Sequence, residues 1–478
     1  MPSPISRPVR VAVLADSDTR WKWGALTARR IAPDGRPIEL SGFLLRGRAT
    51  PTARQIAEVG AEADALREVT GTEFLRELRE EAAGAAGAGR PEGSPEGAPD
   101  DSPGEPDGSP RGPGGPFDIV VLALVGGAVQ AMLHGIAALK LARRPLLVTG
   151  YVGVVYEKLS DGLLLRHGAD VVLANSAYDA DRFRAVYEGV GADASSVTEA
   201  ALPFLGGARY QPEEGRDTVV FAAQPSVPAT RADRTYLLRR LVEHARLHPN
   251  REVLLKLRSK PGEHTTHIEE FPYQRLAEKV PGGLPANFRL VYGNMGEVLD
   301  RTDLLVTVSS TAALESLHRS IPTAILTDFG VREPLGNHHF IGSGCLASWD
   351  QLDGGGRPTP DAAWADRQGV AADGSYARAF DTARARVTEL TERAAAGDLP
   401  EITPYYTAAT APGYLPGLLA RYHLAADGTP LPAAARTAES QVGGVRRVVR
   451  EAVRGAARGA YRHGVQRVAP VIRRMGEL

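Results

Sequence analysis

The sequence predicts an α/β protein with two doubly wound parallel sheets, followed by a helical C-terminal tail. Three observations carry that expectation. Short apolar, β-branched runs recur without polar alternation, the pattern of strands buried on both faces. Helix-forming stretches separate them, as β-α-β crossovers require. A polar, glycine-containing connection at 203–216 then ends one such series, and a second begins. With 478 residues, the chain is long enough for two or three domains.

In the first series, Val9 to Ala15 reads as a buried strand. Asp16-Ser17-Asp18-Thr19 leads from it into a helix over Trp21 to Ile31, which carries Lys22 and Trp23. Ile38 to Leu45 suits a second strand, and Thr52 to Ala65 and Thr72 to Ala83 suit helices. Gly84 to Pro116 is rich in Gly, Pro, Ala, Ser and acidic residues with no apolar period, so a disordered insertion is expected there. Asp118 to Val125 is the next buried strand, and Gly126-Gly127 opens a helix to about Ala142. Pro145 to Thr149 and Asp170 to Ala174 are further strands, with Tyr156, Glu157 and Lys158 on a helix between them. Asn175-Ser176 opens a helix to Tyr187, and Ser196 to Leu202 completes a first domain assigned to 1–205.

The second series starts with a strand over Asp217 to Ala223, ending in Gln224-Pro225-Ser226. A long helix follows over Thr230 to Leu247, then a strand over Glu252 to Leu257 that runs into Arg258-Ser259-Lys260-Pro261-Gly262. Phe288 to Tyr292 and Leu304 to Val308 are strands, with a short helix around Gly296 to Asp300 between them. Ser309-Ser310-Thr311 breaks the second of these strands, the helix Ala312 to Leu317 carries Glu315, and Thr323 to Leu326 is a strand. This domain is assigned to 206–345, a helical packing segment containing Tyr376 to Ala396 to 346–425, and a linker with a basic amphipathic helix to 426–478.

Open α/β sheets bind ligands outside the carboxyl ends of their strands. Four stretches sit there. Asp16 and Asp18 follow the first strand, where each suits either a general base facing a cleft or a helix cap. Lys256, Arg258 and Lys260 alternate at the end of another strand, which fits either a phosphate site or a solvated basic loop. Ser309, Ser310 and Thr311 precede a helix, which fits an anion site or a simple cap. Glu315, one turn on, is in reach of that loop or of a ligand hydroxyl. Gln224, where the first strand of this half ends, joins the same ligand-side set. His338-His339 is a poor metal pair, because adjacent residues point apart and no third ligand is evident, so no metal site is expected.

The 56 basic and 57 acidic residues balance to a net charge of -1, which argues against nucleic acid as a partner. A single cysteine, Cys345, excludes an intramolecular disulfide. No signal peptide or membrane-spanning run is evident, so a cytoplasmic location is expected. From Val442 on, arginines such as Arg446, Arg450, Arg454 and Arg458 interleave with Val449, Val453 and Ala456 at helical spacing. A segment of this kind, 442–474, suits the inner face of an anionic membrane, a solvated helix or a partner site.

The stretch from Asp217 to about Cys345 resembles the C-terminal domain of GT-B glycosyltransferases, in particular the bacterial capsule-polymerase group that includes polysialyltransferases. The resemblance rests on Ser309-Ser310-Thr311 with Glu315, then Ile321-Pro322 and a strand, and on Lys256 with Pro261 downstream. Arg258-Ser259-Lys260-Pro261 stands where that group carries a His-Pro pair, so Lys260 or Arg258 would replace a histidine as electrostatic stabiliser. The resemblance implies two Rossmann-like domains facing a cleft and a metal-independent, cofactor-free transfer from a nucleotide-sugar donor to a glycan or lipid-linked acceptor. It implies that Gln224, Lys256, Arg258, Lys260, Ser309, Ser310, Thr311 and Glu315 hold the nucleotide. Asp16 or Asp18 would be the base, with Glu157 as runner-up. A nucleotide-sugar epimerase of the same fold and a non-catalytic nucleotide-sugar binding protein are the alternatives.

Overall fold

The computed structural model describes residues 7–34, 36–87, 116–154, 159–260, 263, 269–370 and 374–432. Two parallel sheets form its centre. The first contains β1 (Val9–Ala15), β2 (Ile38–Leu45), β3 (Ala65–Val69), β4 (Ile119–Ala123), β5 (Leu146–Gly150), β6 (Val171–Ala174) and β7 (Val197–Glu199), in the order β3-β2-β1-β4-β5-β6-β7. The second contains β8 (Thr218–Ala222), β9 (Glu252–Lys256), β10 (Phe288–Val291), β11 (Leu304–Thr307), β12 (Thr323–Leu326) and β13 (Leu346–Ala347), in the order β10-β9-β8-β11-β12-β13. Neighbouring strands are parallel throughout.

Each sheet therefore reverses direction once, between β1 and β4 and between β8 and β11. Such a switch leaves a crevice outside the strand ends. The two crevices face each other. The central strands are apolar on both faces because helices cover both, so β4, β5, β8, β11 and β12 are buried at every position.

The helix Asp18–Ile31 shows how local sequence positions the site. Ser17 caps it, accepting the Arg20 N–H, and Trp21 and Trp23 are buried in the core below. A side chain at Gly24 would bring a Cβ within 2.6 Å of Val13 Cγ1 and 2.9 Å of Ala123 Cβ, so glycine lets the helix lie directly on β1 and β4.

Several expected elements change. Thr52 to Ala65 is not one helix: a short helix spans Ala53–Val59, Gly60 ends it in a left-handed conformation, and β3 follows. The helix expected to stop at Ala83 spans Gly71–Gly87, so residues 84–87 are helical rather than part of a disordered insertion. Residues 88–115 lie outside the described residues. Tyr376 to Ala396 divides into a 3-10 turn, Ser375–Phe380, and a helix, Asp381–Ala396.

After the second sheet the chain returns to the first. Phe380, Ala383, Val387 and Leu390 share one apolar cluster with Val9, Val11, Leu146 and Val171. The helix Leu415–Ala420 adds Leu415, Leu418 and Leu419 to the cluster on the other face, beside the helix Gly126–Ala138. Among the described residues, no helix is long and apolar enough to cross a membrane. The basic segment 442–474 lies outside them.

Candidate active site

The two crevices form one cleft of about 690 Å³. Asp18, Gln224, Lys256, Arg258, Ser309, Ser310, Thr311 and Glu315 all line it, from both domains.

On the first-domain side, the turn after β1 gives each polar residue a separate task. Asp16 is held inward: one carboxylate oxygen accepts the Val125 N–H at 2.9 Å and the other accepts from Arg20 Nη1 at 2.8 Å. It ties β1 to β4 and is not among the lining residues. Asp18 opens the helix and faces the cleft. Its Oδ1 accepts from Arg258 Nη2 at 2.7 Å, across the domain boundary. Burial pushes its carboxyl up, but the charge and hydrogen bond of Arg258, helped by Thr19, outweigh burial and hold it below the ordinary range.

On the second-domain side, Lys256 is the last residue of β9 and is buried, its Nζ donating to the Leu257 carbonyl at 2.8 Å. Burial pulls its ammonium down to about 8, while Glu58 and Glu315 act in the opposite sense. Among the described residues it forms no ion pair within 4.0 Å. Arg258 also lines the cleft, but Lys260 does not: Ser259 is buried and Lys260 is exposed. Regular alternation requires a continuing strand, and β9 has ended at Lys256. The Lys260 N–H instead donates to Glu263 Oε2 at 2.8 Å, and its Nζ lies 5.8 Å from the Tyr292 ring centroid.

The loop after β11 divides in the same way. Ser309 is buried; its N–H donates to Gln224 Oε1 at 3.0 Å and its hydroxyl to the Leu335 carbonyl at 2.5 Å. It is chiefly a fastener between strand ends. Arg234 steadies the same corner, donating to the Gln224 and Pro225 carbonyls, each at 3.1 Å. Ser310 Oγ accepts the Ala312 N–H at 3.2 Å at the start of the helix Ala312–His318. Thr311 meets the first domain: a Cβ at Gly153 would lie 2.8 Å from its Oγ1. Glu315 is buried, and burial raises its carboxyl against the opposing charges of Lys22, Arg319 and Lys256.

One residue of the cleft lining and one ion pair between the domains were not singled out from the sequence. Lys22 reaches the cleft with its Nζ 3.9 Å from Glu315 Oε2. Its position, i+4 from Asp18 on one helix, puts both on one face and is the signal that identifies it. Arg54 and Glu263 tie the domains, with Arg54 Nε donating to Glu263 Oε1 at 2.6 Å. No local pattern marks that pair. Glu157 and Pro261 lie outside the described residues.

Among the described residues, one cluster brings together three side chains of the metal-ligating kind. Ligand atoms of His244, His248 and Asp353 lie within 4.8 Å of one another. An arginine can only donate, so Arg251 Nη1, 3.0 Å from His244 Nε2, makes that nitrogen an acceptor. The other ring nitrogen then donates to Asp353 Oδ1 at 2.5 Å, and Arg240 holds the second Asp353 oxygen at 2.8 Å. Both nitrogens of His244 are engaged, and the group pins the helix Arg231–Leu247 to the helix Trp349–Asp353, away from the cleft lining.

Comparison with solved structures finds similar chains at low identity. UDP-GlcNAc 2-epimerase from Methanocaldococcus jannaschii is 10% identical with a TM-score of 0.45, covering 80% of this chain and 99% of that one. UDP-GlcNAc 2-epimerase from Neisseria meningitidis bound to UDP-GlcNAc is 9% identical with a TM-score of 0.44, covering 80% and 100%. The glycosyltransferase SnogD from Streptomyces nogalater is 16% identical with a TM-score of 0.36, covering 82% and 98%. No curated protein matches the sequence. The pattern of one family matches residues 11–86 and 114–390, which include both sheets and the whole cleft, and the chain therefore belongs to that family, described as "Putative glycosyltransferase (DUF6716)".

Proposed function

We propose that the protein transfers a sugar from a nucleotide-activated donor to a hydroxyl of a glycan or lipid-linked acceptor, with its own cations rather than a metal ion neutralising the leaving phosphate. Lys256 and Arg258 hold the phosphate, the Ser310-Thr311 loop adds hydroxyl and backbone donors, and Glu315 orients the loop or contacts the ribose. Asp18 takes the proton of the acceptor hydroxyl as its oxygen attacks the anomeric carbon. The bond from that carbon to the phosphate oxygen breaks, and its electron pair leaves with the nucleotide. The observation that supports this reading is convergence: Asp18, Lys256, Arg258, Ser310 and Thr311 come from three separate strand ends in two domains and line one cleft.

The resemblance to capsule enzymes and the basic segment 442–474 favour an acceptor growing at an anionic membrane surface on the cytoplasmic side. A thermal-shift screen with CMP, UDP, GDP and dTDP tests the nucleotide site. At least one should raise the melting temperature, and the Ser310→Ala, Thr311→Ala double variant should lose that shift. No shift with any nucleotide, or an equal shift in the variant, overturns the assignment.

A further inference from the structure

Among the described residues three cations line the cleft, and two of them already hold a protein carboxylate. Lys22 lies against Glu315 at 3.9 Å, and Arg258 holds Asp18 at 2.7 Å. Both pairs cross between the domains. Arg258 spends one nitrogen, Nη2, on two first-domain partners, Asp18 Oδ1 and Thr19 Oγ1. A carboxylate at this place carries the charge of a phosphate oxygen, and it holds Nη2, the nitrogen shared by both bidentate edges of the guanidinium that a ligand phosphate would grip. Asp18 so held cannot also accept a proton readily, because its charged form is the one Arg258 stabilises.

We propose that the Asp18–Arg258 pair is a latch displaced by the donor: phosphate takes the guanidinium, and only then is the Asp18 carboxylate released to the acceptor hydroxyl. The latch rests on the glycosyl-transfer reading above. It makes binding ordered, donor before acceptor, and keeps Asp18 from serving as the base until a donor is in place. The exchange is between like-charged ligands of one cation, so it costs only the difference between their affinities for it. A phosphate group carrying two acceptor oxygens engages a guanidinium bidentately, whereas Asp18 reaches Arg258 through one oxygen.

Isothermal titration of the full chain with CMP, UDP, GDP and dTDP tests this, using whichever binds. Because Asp18 competes with the ligand, Asp18→Asn should bind nucleotide about fivefold or more tightly while transfer falls about a hundredfold. A purely structural tie would give weaker or unchanged binding. Thr19→Val, which removes the second partner, should tighten binding in the same direction by less. It also keeps the test open should Asp18→Asn fail to fold. Glu58→Gln removes another cleft carboxylate, one paired with Arg54 instead, and controls for general charge. Equal tightening by Glu58→Gln overturns the latch. So does weakened binding in Arg258→Ala combined with no tightening in Asp18→Asn, a result that leaves the nucleotide site standing. If no nucleotide binds the wild type, or Arg258→Ala binds as well as the wild type, the site assignment falls and the latch falls with it.

Discussion

Lys22 of the first domain and Glu315 of the second meet across the cleft, with 3.9 Å between Nζ and Oε2. Glu315 is buried, and burial raises its carboxyl against the opposing charges, of which Lys22 is the foremost. Removing one partner of a buried charge pair strands the other. Lys22→Met should therefore weaken nucleotide binding about tenfold, the scale of one charged hydrogen bond. Titration calorimetry of the variant against the wild type measures this, and unchanged affinity would confine Lys22 to a packing role, its Nζ lying 4.8 Å from the Phe204 ring centroid.

Lys256 makes binding sensitive to alkali. Its folded-state pKa lies near 8, below the ordinary lysine value. An anion binds the protonated form, so affinity is full below about 8 and declines as pH rises through it. Bound phosphate raises the lysine's pKa, and the decline approaches about tenfold per pH unit. Lys256→Met should bind more weakly at pH 7 and show a flat profile between pH 7 and 9.5. A profile that stays steep in the variant would assign the titration to another group.

Ser309 and Ser310 are neighbours with different work. The Ser309 hydroxyl is buried against the Leu335 carbonyl. Ser309→Ala leaves that acceptor unpaired and should cost about 1–2 kcal/mol of stability in urea unfolding. Ser310→Ala should lose nucleotide affinity severalfold with less effect on unfolding. A reversed pattern would exchange the two roles.

Gly153 tests the fit between domains. A methyl group there would stand 2.8 Å from Thr311 Oγ1, so the threonine side chain must move. Gly153→Ala should reduce nucleotide affinity about two- to fivefold, as a misaligned hydrogen bond does, with little change in melting temperature.

The basic segment predicts a lipid dependence. The full chain should sediment with phosphatidylglycerol vesicles at low salt and not with phosphatidylcholine vesicles. A chain ending at residue 432 should sediment with neither, since each lost arginine near the surface removes about 1 kcal/mol. Equal sedimentation of both chains would exclude the segment as the membrane contact.

Both sheets were legible because their central strands are covered on both sides, and unbroken apolar runs such as Ile119–Ala123 and Val171–Ala174 record that covering. β3 was not legible, because it is an edge strand with Ala65 to Glu68 exposed and its pattern carries no burial signal. The ligand-side loops were legible for a related reason. In a doubly wound sheet, polar residues at strand ends have few other places to go. Within them, sequence did not separate residues that face the cleft from those that fasten it. Asp16 and Asp18 differ by two positions, yet one carboxylate is consumed by Val125 and Arg20 and the other reaches Arg258. Lys260 was misplaced because alternation was carried past the end of β9. Contacts between domains, such as Arg54 with Glu263, depend on docking and leave no periodic trace in either segment.

The return of the chain after β13, with Phe380 to Leu390 packed beneath β1 and β5, has a mechanical consequence. The second sheet is joined to the first by two covalent spans, one before β8 and one after β13. A body held by two straps can open like a book but resists spinning about its long axis. Opening would part Asp18 from Arg258, Lys22 from Glu315 and Arg54 from Glu263 together, as one rotation rather than three local events. A protease cut between 206 and 216 would sever one strap and leave the halves associated through the other.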